Sequence, residues 1–208
     1  MTQHPKYFAA VLAAVIVFFM SAGHSLSNPA EPVTNQGKKW RIGYLEGGSY
    51  ANYPSILKEM ILNLMETGWI EPESLPPCRD ASDSLTLWTF LSKQAKSRFL
   101  EFSPAAYWSL NWDSGSRKKS VPAIIKRLQE KKDIDLMLAF GTWAGQDLAN
   151  NRHSTPTMVI SASNAVQSGI IKSVTDSGFD HVHAWIDPDK TERQLRLFHE
   201  IIGFRKLG

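Results

Sequence analysis

The stretch IDLMLAFGTWAGQDLANN, residues 134–151, decides how the rest of the chain reads. Apart from Asp135, Ile134 to Phe140 is a continuous apolar run of strand length, the composition of a strand buried on both faces. Gly141-Thr142 then leads at once into the helix WAGQDLANN. A buried strand passing straight into a helix is the repeating unit of a parallel sheet covered by helices.

Outward from this unit the pattern recurs. Downstream, TMVISA (157–162) predicts a fourth strand followed by a helix around Ala165 to Val174, and HVHAWI (181–186) predicts a fifth. Asp187-Pro188 then supplies a capping residue and a first-turn proline for a last helix whose Leu195, Phe198, Ile201 and Ile202 make its apolar face. Upstream, WRIGYL (40–45) predicts strand 1, and Ile56, Leu57, Met60, Ile61, Leu64 and Met65 repeat at helical spacing before the stop at Gly68. Pro72, Pro76 and Pro77 mark 69–104 as an insertion, within which Ser84 caps a helix carrying Leu87, Trp88, Leu91 and Ala95. AAYWSLNW (105–112) then predicts strand 2, DSGSRKK a turn, and Ser120 the cap of a helix with Pro122 in its first turn and Ile124, Ile125 and Leu128 inward. Five strand-helix units in a row predict an α/β fold, a doubly wound parallel sheet, for which the strand order 2-1-3-4-5 is adopted.

The chain has 208 residues, 43% hydrophobic and 21% charged, a balance typical of a globular domain. Its net charge of +3 is spread along the sequence, and the longest basic run, Arg117-Lys118-Lys119, reads as a solvated turn, which argues against nucleic acid as a partner. Lys6, the apolar run Phe8 to Met20 and the small residues of SAGHSLS have the three-part form of a secretory signal, with cleavage favoured after Ser27 over Gly23. The rival is an uncleaved anchor, for which the run is short. Residues 28–39 read as a disordered leader. Cys78 is the only cysteine, so an exported domain holds no internal disulfide and depends on its core.

In an open parallel sheet the ligand lies beyond the carboxyl ends of the strands where the strand order reverses, here between strands 1 and 3. The loops meeting there are Glu46-Gly47-Gly48-Ser49-Tyr50, Gly141-Thr142-Trp143 and Ser161-Ala162-Ser163-Asn164. Their backbone N–H groups and hydroxyls suit an anionic group, Tyr50 and Trp143 an aromatic surface, and Glu46 an ammonium, a set that fits an amino acid. Each residue also has a plainer reading: Gly141 in a tight turn, Thr142 as a helix cap, Trp143 as packing. No G-x-G-x-x-G follows strand 1, and neither a phosphate-binding loop with Lys nor a G-x-S-x-G elbow occurs, so no catalytic residue is assigned. His181 and His183 share a strand face without an acidic or cysteine partner pattern, and no metal site is assigned to them.

The segments RIGYLEGG, GWIE, IDLMLAFGTWAGQDL, TPTMVISASNAVQSGIIKS and DPDKTERQLRLFHEI together resemble the type 1 periplasmic substrate-binding proteins of ABC transporters, in the branch associated with aromatic amino acids. The resemblance runs from Trp40 to Gly208 apart from the insertion. It implies a bilobed receptor without enzymatic activity or cofactor, closing on a small-molecule ligand and docking on ABC permease subunits at the membrane. The ligand-facing positions it implies are Glu46, Gly48, Ser49, Gly141, Thr142, Trp143, Ser161, Ala162 and Asn164. On this reading 40–203 is the N-terminal lobe, and FRKLG (204–208), which echoes WRIGY, opens a truncated second lobe. The alternative is an extracytoplasmic sensing domain of a membrane receptor that keeps its apolar N-terminus as an anchor.

Overall fold

Alternating apolar runs and helices arrange themselves as the order β1 (Trp40–Glu46), α1 (Asn52–Glu66), α2 (Ser84–Lys93), β2 (Leu100–Ser109), α3 (Ser114–Glu130), β3 (Leu136–Phe140), α4 (Gly141–Leu148), β4 (Thr157–Ile160), β5 (Val182–Ala184) and α5 (Lys190–Ile202). This is a computed structural model that describes residues 31–187 and 189–206. The stretch 1–27 read as a signal segment, the start of the expected leader, Pro188 and the last two residues lie outside the described residues. All strand pairs are parallel and the order is β2-β1-β3-β4-β5, the doubly wound α/β arrangement the alternation predicts.

The core forms where the apolar runs meet. Gly43 to Glu46 on β1 and Met137 to Phe140 on β3 are buried as continuous stretches, as central parallel strands require. Leu57 and Ile61 of α1, one helical turn apart, are fully buried and each contributes about 1.5–3 kcal/mol by leaving water. At the opposite end of the sheet from the loops that follow β1, β3 and β4, Arg41 donates through Nε and Nη2 to Asp135 at 2.9 and 2.7 Å, tying β1 to the start of β3.

Several boundaries differ from the sequence reading. β2 starts at Leu100, inside the stretch read as insertion, and carries Pro104. Ile42 pairs with Phe102 but Tyr44 with Tyr107, so two steps on β1 match five on β2. The extra residues bulge around Pro104, tolerated because β2 is an edge strand and a proline there withholds no ladder donor from a neighbour. α3 begins at Ser114, within the predicted turn, because the Asp113 side chain accepts the Ser116 N–H at 2.7 Å. Pro122 therefore lies inside the helix, on its exposed side, where the Lys118 carbonyl that loses its helical donor is on the solvent-facing side. The helix expected at 165–174 is only a series of turns: Gly169 adopts φ 70° immediately after one turn capped by Asn164. In the leader, Asn35 and Lys38 exchange two backbone hydrogen bonds, so these residues form a tight turn rather than a structureless run.

α5 forms, but its packing is not the expected one. Leu195, Leu197, Phe198, Ile201 and Ile202 all stay exposed, and Phe204 folds back on Phe198 and His199. Phe204 to Lys206 add no sixth strand. The outer sheet is correspondingly open on one face. On β4 and β5, Thr157, Val159, Val182 and Ala184 are buried, whereas Met158 and His183 are exposed. No helix among the described residues is long and apolar enough to cross a membrane.

Candidate functional site

Beyond the carboxyl ends of β1, β3 and β4 lies a cleft of about 1010 Å³. Its floor comes from the turn into α4, Thr142 and Trp143, and from Ser161 to Ser163 after β4. One wall is the exposed side of α1, with Ile56, Glu59, Met60 and Asn63 at helical spacing. The other is the open sheet face, with Met158, Ile160 and Trp185. Five aromatic rings line the space: Tyr50, Tyr53, Trp112, Trp143 and Trp185.

The loop geometry has specific causes. Gly141 has φ 86°, and a Cβ there would land on the Tyr53 hydroxyl, so the turn from β3 into α4 passes directly beneath that ring. Trp112 lies against the loop after β1: its backbone N–H donates to the Gly47 carbonyl at 2.8 Å and its indole N–H to that of Ser49 at 2.9 Å. A Cβ on Gly48 would stand 2.6 Å from the Trp112 backbone nitrogen, which explains the paired glycines. Trp112 meets Trp143 edge to face at 5.5 Å, and the Arg117 guanidinium covers Trp143 at 4.6 Å. Arg117 is in turn fixed by Asp147 at 2.9 Å, whose carboxyl is raised by burial against the lowering effect of that arginine.

Of the residues expected from sequence, Thr142, Trp143, Ser161 and Ala162 line the cleft, with Tyr50 and Ser163 beside them. Glu46, Gly48, Ser49, Gly141 and Asn164 do not. Glu46 is 1% exposed, and its carboxylate accepts from the hydroxyls of Tyr44 at 2.8 Å and Tyr107 at 3.2 Å, so it is not free to contact an ammonium in the cleft. Gly48 and Ser49 are held under Trp112, and the Asn164 side chain accepts the Gln167 N–H at 2.9 Å as a turn cap. Burial first, and the Glu46 charge second, push the Tyr53 phenol up to about 12. Tyr44 and Tyr107 are raised by the same two causes.

Sequence reasoning missed the α1 wall, because Ile56 and Met60 fit a helix core pattern, and missed Trp112 and Trp185, which fell in strand runs. The two histidines of HVH separate: His183 is exposed, while His181 packs edge to face on buried His153 at 4.9 Å. Among the described residues no group of three or more His, Cys, Asp or Glu gathers to hold a metal.

No known protein family profile matches this chain, nor does any curated protein. Among solved structures, a conserved domain protein from Vibrio cholerae O1 biovar El Tor is 12% identical, with a TM-score of 0.50 over 80% of this chain and 45% of the other. An ABC domain in complex with L-Trp from Streptococcus pneumoniae is 17% identical, with a TM-score of 0.47 over 71% of this chain and 38% of its own. A ligand-free, open substrate-binding protein with adhesive properties from Clostridium difficile is 14% identical, with a TM-score of 0.45 over 76% and 43%. The chain therefore spans less than half the length of each. At these identities the likeness is one of fold.

Proposed function

We propose that this chain binds a small organic solute, as the ligand-receiving lobe of an exported substrate-binding protein that serves an ABC importer. The observation that carries this reading is the position of the cleft: about 1010 Å³, lined by five aromatic rings together with aliphatic and short polar side chains, at the reversal of strand order, where doubly wound sheets hold ligands. Its chemistry suits binding rather than turnover. The hydroxyl and amide groups of Thr142, Gln146, Ser161 and Ser163 can orient a ligand, and they include no nucleophile paired with a base. An amino acid fits the resemblance in the sequence and the combination of rings with short polar groups.

The cleft is open on the side facing away from the sheet, and its rim residues Tyr50, Trp112 and Trp185 are 50, 45 and 63% exposed. High affinity then needs a second surface closing over the ligand, which in this class of receptor is the other lobe, before the closed form docks on a permease. The direct test is calorimetry and tryptophan fluorescence of the folded chain against a panel of amino acids and related small solutes. Weak, saturable binding abolished by Trp143→Ala is expected. A folded chain that answers to no solute at all would refute the proposal. Export is tested separately by the mass of the mature protein: loss of residues 1–27 supports it, and retention supports a membrane-anchored sensor.

A further inference from the structure

We propose that the cleft selects organic cations: a flat apolar solute bearing an ammonium group is held in preference to a neutral or carboxylate analogue of the same shape. This rests on the ligand-binding reading above and narrows it: within the amino-acid-like solutes it favours the amines that lack a carboxylate over the zwitterions. The first support is the exposed rim rings of Tyr50, Trp112 and Trp185, whose faces attract cations and repel anions. The second is the sign of the lining. Apart from the phenols, Glu59 is the only ionisable side chain on the walls among the described residues, and no Lys, Arg or His of them joins it.

The third support is Glu46. It is almost wholly buried at the end of β1, with two phenol hydroxyls as its hydrogen-bond donors and no ion-pair partner among the described residues. A buried carboxylate without a cation is costly, and low-dielectric surroundings screen its field little. Glu46 lies opposite Phe140 in the β1–β3 ladder, and the Tyr53 ring on the cleft wall packs against Phe140 at 5.6 Å, so the buried carboxylate stands close behind that wall; the upward push on the Tyr53 phenol, due first to burial and then to Glu46, agrees with this. A ligand ammonium beyond Tyr53 would offset the buried charge without touching it, whereas a ligand carboxylate would add to the repulsion. The positive groups nearby do not reverse this balance. Arg117 sits on Trp143 but is paired with Asp147, and Lys58 is exposed on α1 without lining the cleft.

The test uses three indoles of similar shape, tryptamine, 3-methylindole and indole-3-acetate, titrated by calorimetry against the full chain at low ionic strength. Tryptamine is expected to bind about tenfold more tightly than indole-3-acetate, the span that ring–cation attraction supports. Added salt and Glu59→Gln are each expected to narrow that ratio, the variant by about two- to threefold. Glu46→Gln, checked for folding by circular dichroism, is expected to narrow it further; the exposed Glu59 position keeps the test decisive if that variant does not fold. Equal affinities, or a preference for indole-3-acetate, overturn the charge selectivity and leave the cleft a ligand site. Failure of all three probes to bind the folded chain overturns the charge proposal for flat apolar solutes, while the ligand-binding reading stands or falls on the wider solute panel above.

Discussion

Replacing Gly141 by alanine tests whether the turn beneath Tyr53 is as tight as the geometry requires. Two costs combine. The residue sits at φ 86°, where an L side chain costs about 1–2 kcal/mol. The new Cβ also meets the Tyr53 hydroxyl and stands 2.9 Å from Cζ of that ring. Tyr53 is 3% exposed and packed on Phe140 and Tyr50, so it cannot swing away freely, and overpacking of this kind costs about 1–3 kcal/mol. The sum is roughly 2–5 kcal/mol, a large part of the stability of a domain this size. At about 2–4 °C per kcal/mol, Gly141→Ala should lower Tm by roughly 4–20 °C in a thermal melt followed by circular dichroism. Tyr53→Phe removes the oxygen that the methyl would strike, so the double variant should recover part of the loss, about 1 kcal/mol in a double-mutant cycle. A single variant that melts within about 2 °C of the wild type, or a cycle with no coupling, would refute this account of the turn.

Asp83 accepts from Arg79 Nε at 2.8 Å and from the Thr86 N–H and hydroxyl at 3.1 and 2.6 Å, so Asp83→Ala strips the α2 cap and should cost about 1–3 kcal/mol in urea unfolding. The Arg79 hydrogen bonds hold the Asp83 carboxyl well below the usual carboxylate range; its contribution should be complete above pH ~4 and fade as the pH falls further, and a flat acid limb would contradict this. His153 behaves differently: burial first, then His181, lower its pKa, so the unfolded chain takes up the proton more readily. Stability should therefore be full above pH ~6.5 and decline as the pH drops through the window down to the depressed native value, a slope that His153→Leu should flatten in pH-dependent unfolding. On α5, Leu197→Lys and Ile201→Glu replace exposed side chains and should shift stability by no more than about 0.5 kcal/mol while reducing self-association in sedimentation; a large loss of stability would mean that the helix packs after all.

The central sheet was legible because strands buried on both faces have a distinctive composition, and LMLAF after a polar approach admits little else. From that alternation a parallel doubly wound sheet followed, and with it the end at which the cleft lies; the strand order 2-1-3-4-5 was adopted from that fold type and agrees with the observed one. The errors arise where a local signal had two physical readings. Pro104 looks like a loop until an edge-strand bulge accommodates it, and DSGSRKK looks like a turn until Asp113 caps a helix with it. Gly169 hid the end of a helix that never passes one turn. At the site, the loop residues could be placed by topology, but Glu46 could not, since only the approach of Tyr44 and Tyr107 shows that its carboxylate is already engaged. The α1 wall was invisible for a related reason: periodicity marks a helix as having an apolar side without saying that the margin of that side borders an empty space.

The bulge around Pro104 also bears on how copies of this chain can meet. β2 forms one margin of the sheet, where unpaired N–H and C=O groups would otherwise offer a template for another strand. The proline contributes no donor there and the extra residues break the spacing of the rest, while the opposite margin, β5, is only three residues long. Neither margin presents the long regular row of donors and acceptors on which a sheet grows into a fibre. A chain that leaves an apolar helix face uncovered is thereby steered toward side-by-side contacts that can come apart, and away from strand addition that cannot.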